Sequence, residues 1–319
     1  MRAEGPWGWT NNYAVMPPAQ IVERAKQAGL RGLILKVFDP DFEATVAECQ
    51  KAGLEYAVEN YVYPIRAAYE GKWLAEAYNR TNASFIVVNA EVEWETAPSD
   101  AMGSLLSAIV SLAPNAEIYA SVDMRGGRNF LGYQEALRRV ISGWMPMVYP
   151  LAFYPSRPEG YVESAFRDAV IDSRDGLAAF PTIQTYGDIG FNDVRRELEE
   201  VLNRGLPGVS FYTIEHATDE EWHQVELAMR YKGWPWSAPL SKPDLDVLLE
   251  QLVGRIKTHE NRLDYLLWLV QDIQKGLSHA ATAEMLGSFQ GLAWQEYQEG
   301  KYERAKYPPN WDDLDPMGG

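Results

Sequence analysis

Cysteine is nearly absent from this 319-residue chain. The one it has, Cys49, excludes an intramolecular disulfide and zinc sites built from two or four cysteines. Lying within a helical pattern, it reads as a small buried apolar residue. Histidine is also scarce. His216, His223, His259 and His279 form no HxH or HExxH spacing, which argues against a zinc hydrolase. There is no GxGxxG after the first strand, no phosphate-binding P-loop and no G-x-S-x-G nucleophile elbow, and no cofactor is expected. Positive charge is in deficit: 29 Lys and Arg against 45 Asp and Glu leave a formal net charge of −16. Such a surface repels phosphate backbones and anionic lipid, which disfavours nucleic acid as a partner. No stretch approaches the roughly 18 apolar residues of a membrane span. The start, MRAEGPWGWTNNY, lacks the basic and apolar regions of a signal peptide. Synthesis in a cytoplasm is the expectation, with no membrane span.

The chain is rich in aromatics, at 12% with 11 Trp, and is 46% hydrophobic. This composition opposes disorder and suffices for one large domain plus something smaller. Rings of this kind fill cores, and they also stack on sugar faces.

Eight short apolar runs recur at Trp7–Thr10, Gly32–Phe38, Tyr56–Tyr63, Ser84–Glu93, Glu117–Asp123, Trp144–Leu151, Ala178–Thr185 and Gly208–Ile214. Each is followed by an amphipathic segment: 19–28, 42–52, 67–80, 100–112, 133–141, 159–170, 194–203 and 219–231. The spacing of about 30 residues is that of a (β/α)₈ barrel. Gly29 and Gly53 read as helix C-caps, and Thr218 with Glu221 as a capping box. Near-continuous apolar strands such as Phe85–Val88 imply a parallel sheet covered by helices. The predicted barrel covers residues 1–237.

A proline-rich linker, 238–243, then precedes a different pattern. Over 244–280, Leu245, Leu252, His259, Leu266 and Ile273 occupy heptad position a, and Leu249, Ile256, Leu263, Val270 and Leu277 position d. Alternating steps of four and three predict a coiled-coil helix and self-association. The extra apolar residues Val247, Leu248, Leu267, Trp268 and Leu269 favour a trimer; the alternative is a single amphipathic helix packed on the barrel. His259 reads as a register device. Residues 281–319 are expected to add a helical segment and the acidic tail PPNWDDLDPMGG.

Active residues of such barrels sit at the C-terminal ends of strands. That rule selects Lys36 and Asp39; Glu59, Asn60 and Tyr61; Asn89, Glu91, Glu93 and Trp94; Asp123 and Arg125; Met147 and Tyr149; Gln184 and Tyr186; and Tyr212, Glu215 and His216. The segment FIVVNAEVEWE carries most information. Strand alternation puts Phe85, Val87, Asn89, Glu91 and Glu93 on one face, predicted to look into the barrel mouth. Ionised carboxylates there are costly unless used or paired, and crowding of Glu91 by Glu93 is expected to raise one pKa, as a general acid requires. The alternative is a structural ion pair of one Glu with Lys36 or Arg125. Asp39 and Glu59 with Glu91 have the chemistry to hold a divalent ion, but their spacing does not demand one.

The segments FIVVNAEVEWE, YASVDMR, WMPMVYPLAFY and GVSFYTIEH resemble barrels related to glycoside hydrolase family 25 lysozymes of phage and bacteria and, more distantly, family 18. In these, strand 4 ends in Asp-x-Glu and strand 6 reads like MPQ-x-Y. The resemblance implies that Glu91 takes the place of the family acid, Asn89 that of the first Asp, and Met147 and Tyr149 those of the strand 6 motif. Two departures stand out. Asn89 is not a carboxylate, and strand 1 ends in Trp9-Thr10-Asn11-Asn12 where family 25 has an Asp. Double displacement through position 89 is therefore excluded. A single-acid mechanism survives, with the substrate's 2-acetamido group as nucleophile, oriented by Asp123, Tyr149 or Asn89. Lys36, Asn60, Tyr61, Trp94, Met147, Gln184, Tyr186 and Tyr212 are the expected substrate contacts.

Together with the heptads, the resemblance implies a phage-type virion or tail component, oligomerised by its C-terminal helix, that binds or cleaves cell-wall or surface glycan. Its partners would be glycan, further copies of itself and other virion proteins, and it would reside on the particle or be released at lysis. The alternatives are a soluble peptidoglycan glycosidase of the endolysin kind and a barrel that has lost catalysis and serves as structure.

Overall fold

A computed structural model describes residues 2–11, 16–125, 131–170 and 177–231. The heptad helix, from Leu245 to Leu277, and the linker and tail around it lie outside the described residues. The barrel unit spans Met1–Met229.

Eight parallel strands close on themselves. They are β1 (Gly5–Trp9), β2 (Gly32–Lys36), β3 (Glu55–Tyr61), β4 (Ile86–Asn89), β5 (Ile118–Val122), β6 (Gly143–Val148), β7 in two pieces (Ala178–Ala179 and Thr182–Gln184) and β8 (Gly208–Tyr212). Each pairs with its neighbours in chain order, β5 pairs with β6, and β8 closes the ring against β1. The break in β7 falls at Phe180-Pro181, where proline has no N–H to give; the Pro181 carbonyl still accepts from the Ser210 amide at 2.8 Å. The surrounding helices are α1 (Pro18–Gln27), α2 (Phe42–Ala52), α3 (Ala67–Thr81), α4 (Ser99–Leu112), α5 (Leu131–Arg138), the short α6 (Pro150–Phe153), α7 (Tyr161–Ala169), α8 (Phe191–Asn203) and α9 (Asp219–Tyr231).

Local chemistry accounts for several boundaries. Gly53 ends α2 at φ +67°, a left-handed conformation that other residues resist. Thr218 and Glu221 form the reciprocal pair that opens α9: the Thr218 amide donates to Glu221 Oε2 at 2.8 Å, and the Glu221 amide to Thr218 Oγ1 at 3.2 Å. Cys49 is buried on α2, and burial pushes its thiol up to about 12.

The barrel interior is aromatic. Trp7, Trp9, Ile34, Ala57, Phe85, Val87, Tyr119, Met145 and Phe180 form one buried cluster. Phe85 meets Trp7 edge-on at 4.7 Å and Tyr119 at 5.0 Å. Gly32 makes room for this packing, because a Cβ there would lie 2.4 Å from the Trp7 ring. Four of these core residues are followed, two positions on, by a residue facing the same way at the mouth: Ile34 by Lys36, Ala57 by Glu59, Val87 by Asn89 and Met145 by Met147. The core thereby sets which side chains meet at the C-terminal end.

Two expectations are corrected. The fourth strand stops at Asn89 instead of running to Glu93, and the sixth stops at Val148 instead of Leu151. Beyond Asn89 the chain turns into a 3₁₀ helix, Val92–Thr96. There the Trp94 amide donates back to the Glu91 carbonyl at 3.0 Å, and the Trp94 ring is buried with its Nε1–H on the Val62 carbonyl at 2.8 Å. Strand alternation therefore does not carry Glu93 to the face of Glu91.

Candidate active site at the barrel mouth

Glu91 follows β4 in extended backbone (φ −112°, ψ −150°) and caps the 3₁₀ turn. It stands between two cavities. The first, of about 470 Å³, is lined by Glu91, Asp123, Arg125, Tyr133, Met147, Tyr149 and Phe153 among others. The second, of about 400 Å³, is lined by Asn11, Lys36, Glu59, Asn60, Tyr61, Asn89, Glu91 and Tyr212 among others. Among the described residues, Glu91 is the one that lines both. Burial raises its proton affinity, Asn89 opposes this by a side-chain hydrogen bond, the negative charges of Glu93 and Asp123 add to it, and Lys36 offsets part. The expected crowding by Glu93 is thus present, but burial is the larger cause.

Around the first cavity, Asp123 is held by Arg125, with Nη2 to Oδ2 at 2.6 Å and Nε to Oδ1 at 2.9 Å. Arg125 also lies 3.8 Å over the Phe153 ring. This is where Arg125 spends its charge, so it does not neutralise Glu91 or Glu93. The Tyr149 ring stacks on Tyr212 at 5.7 Å. Burial, together with Tyr212 and Glu91, holds its hydroxyl far above the usual tyrosine range, so it remains a hydrogen-bond donor at any working pH.

Around the second cavity, Lys36 and Glu59 are register partners on adjacent strands. Lys36 Nζ donates to Asn11 Oδ1 at 2.7 Å, and Asn11 Nδ2 to the Tyr212 hydroxyl at 3.0 Å. Glu59 is buried, and burial pushes its carboxyl up to about 8, with Lys36 opposing and Glu91 and Glu215 adding. Glu215, after β8, receives the Asn11 amide; burial pushes it up to about 7, backbone hydrogen bonds oppose this, Asp39 adds and Lys36 subtracts. Lys36 is the cation shared by Glu59, Glu91 and Glu215. Asn60 Nδ2 donates to the Tyr61 carbonyl at 2.8 Å.

Four of the residues expected to act in catalysis or to contact substrate stand outside both cavities. Glu93 accepts from the Tyr61 hydroxyl. Trp94 is packed in the wall as described. Gln184 Nε2 donates to the Tyr186 carbonyl at 2.7 Å. Tyr186 sits edge-on to His216 at 6.0 Å and lies 6.5 Å from Tyr212. Residues absent from the expected contacts also line the cavities: Phe38, Tyr63 and Arg66 in the second, Tyr133 and Phe153 in the first. Tyr63 is placed by the buried Glu70, which accepts from its amide at 2.5 Å and pairs with Arg66 at 3.2 Å. Its signal in the sequence was faint, because it depends on a three-residue turn, Pro64–Arg66. Among the described residues, no three His, Cys, Asp or Glu side chains converge as a metal site, and no helix is long and apolar enough to cross a membrane.

No family model and no curated protein sequence matches the chain. The fold is shared with solved structures. The catalytic domain of a hyperthermophilic chitinase from Pyrococcus furiosus superposes with TM-score 0.53 at 13% identity, over 71% of this chain and 94% of that one. A chitinase from Chromobacterium violaceum gives 0.52 at 13%, over 71% and 99%. The Bacillus cereus spore cortex-lytic enzyme SleL gives 0.54 at 7%, over 70% and 73%. These are of the family 18 type, the more distant of the two resemblances read from the sequence. At such identities the likeness shows the fold alone, a closed eight-stranded parallel barrel.

Proposed function

We propose that the barrel is a glycosidase acting on glycans that contain N-acetylated sugars. In this reading Glu91 is the lone proton donor and the substrate's 2-acetamido group the nucleophile. One observation carries it: among the described residues Glu91 alone lines both cavities, and burial raises its proton affinity above the usual carboxylate range, while Asn89 stands where a second carboxylate would be. A glycosidic bond spanning the two cavities passes over Glu91. The Glu91 proton goes to the leaving oxygen as the acetamido oxygen attacks C1 from the opposite face. Glu91, now a carboxylate, then takes a proton from the water that opens the cyclic intermediate, and configuration is retained. In this reading Tyr149, which lines the first cavity with Asp123, donates to the acetamido oxygen, and Asp123 receives the acetamido N–H. The neighbours' names supply two test substrates, chitin and peptidoglycan. Wild type is expected to release reducing ends from at least one of them and Glu91→Gln to release them about 10²–10⁴-fold more slowly; equal release by both would remove Glu91 from its role.

A barrel that binds glycan without turnover is the second reading, favoured by the grip of Arg125 on Asp123. Calorimetric binding with no reducing ends from wild type on either substrate would select it. The heptads from Leu245 to Leu277 support a further proposal, that barrels are joined as trimers in an assembly such as a phage tail, reaching cell-wall glycan from the particle. Sedimentation of the intact chain as a monomer, no different from a chain ending at Pro235, would sink that part.

A further inference from the structure

Helix α3 buries Leu74, Ala75 and Ala77 and carries Tyr69 and Trp73 four residues apart, hence side by side on its surface. The two rings touch, at 4.9 Å between centroids, and Phe38 from the loop after β2 closes on Trp73 at 4.2 Å. Tyr69 is 51% exposed and Phe38 41%. Single exposed apolar residues are ordinary, but three aromatic rings in contact at the surface mark a binding face.

The rings are continuous with the second cavity. Phe38 lines that cavity as well, beside Tyr61 and Tyr63, whose rings lie 5.0 Å apart. Its floor holds Glu59 and Asn89, both more than nine-tenths buried. Among the described residues Glu59 Oε2 and Asn89 Oδ1 have no hydrogen-bond partner. Leaving such atoms unpaired costs about 1–3 kcal/mol each, a cost that a ligand with O–H and N–H groups removes. Pyranose chains offer that pair of surfaces, C–H faces for rings and polar edges for buried oxygens. A protein partner covering the rings would leave the polar floor unmet.

We infer that the second cavity and the Phe38–Trp73–Tyr69 rings form one continuous arm for a glycan polymer, running from Glu91 past β2 and β3 to the surface of α3. The inference rests on the proposed function for what happens at Glu91, but the arm binds whether or not the bond is cut. The chain therefore prefers long glycans to short ones.

Binding is read by calorimetry on the full chain carrying Glu91→Gln, with N-acetylglucosamine dimer and hexamer as probes. The hexamer is expected to bind about tenfold tighter than the dimer, and Trp73→Ala to weaken the hexamer about three- to tenfold, one ring's stacking, without changing the dimer. Trp73→Phe should restore most of the loss. Should Trp73→Ala fail to fold, Phe38→Ala, on a loop, gives the same reading. Equal affinities for dimer and hexamer, or unchanged hexamer affinity in the ring variants, would overturn the arm. A ring variant that alters sedimentation but not hexamer affinity would mark a self-association face and overturn it too. Failure of Glu91 as the acid shows separately, as reducing ends released by Glu91→Gln at the wild-type rate.

Discussion

At the N-terminal end of the strands, burial that would raise the Glu117 carboxyl is outweighed by hydrogen bonds from the Arg2 amide at 2.8 Å and the Tyr119 hydroxyl at 2.7 Å, and it titrates below the usual range. At the C-terminal end, burial wins at Glu59, Glu91 and Glu215, and all three titrate above it. Charges at the first end are closed among themselves. Arg31 grips Glu55 at 2.9 Å, Ser84 Oγ donates to the same carboxylate at 3.1 Å, and Arg2 Nη1 reaches the Ser84 carbonyl at 2.9 Å. At the mouth, Glu59, Asn89 and Glu215 each keep a buried oxygen without a partner among the described residues. Stability is built at one end of the barrel, and at the other it is given up to keep polar groups available, the division expected of this architecture.

The largest effect that tests this contrast is on activity. Glu91→Gln should lower kcat by about 10²–10⁴-fold while leaving the melting temperature unchanged or higher, since a costly buried carboxyl is removed. A variant that lost both activity and stability would place Glu91 with the structural carboxylates. Deep in the core the opposite pattern is expected. Phe85→Ala, which empties the space between Trp7 and Tyr119, should cost about 3–5 kcal/mol of stability in denaturant unfolding. A loss below about 1 kcal/mol would mean that the aromatic layer is not what holds the ring closed.

Much of this was legible beforehand. The eight runs located every strand, and the positions two residues past each core residue, Lys36, Glu59, Asn89 and Met147, follow from period-two alternation alone. Period-two alternation stops being a guide where the backbone period changes. At Glu91 the backbone leaves the strand for a 3₁₀ turn, so alternation does not bring Glu93 inward beside Glu91, and Trp94 is buried in the wall. Glu59 and Glu215 follow from their places at strand ends, but their weight depends on burial and on the shared Lys36, which no local pattern encodes. The ring face on α3 was written in the i, i+4 spacing of Tyr69 and Trp73, but its continuity with the cavity required Phe38, thirty-five positions before Trp73.

The next effect in size is a pH dependence. Glu59 moves from an ordinary 4.5 to about 8. Its contribution is fully present below 4.5 and is lost as pH rises towards 8, at about 1.4 kcal/mol per pH unit at most. Glu59→Gln should therefore be more stable than wild type at pH 9 and gain little at pH 4. Thermal melts across that range check it, and curves that stay parallel would mean that Glu59 is ionised in the fold and neutralised by Lys36.

The smallest effect has the opposite sign. Glu117 is held below 4.5, so its contribution is present at neutral pH and is lost as pH falls through and below 4.5. It is half-buried, so the hydrogen bonds are partly screened and Glu117→Gln should cost no more than about 1 kcal/mol at pH 7 and nearly nothing at pH 3. The comparison of the two ends thus reduces to a crossing. Against wild type, one Glu→Gln change gains stability as pH rises and the other loses it, although both swap the same carboxyl for the same amide. If the two difference curves ran in the same direction, local environment would not be what separates the ends. The raised protonation of Glu91, on which its role as acid depends, would then need a cause other than burial at the mouth.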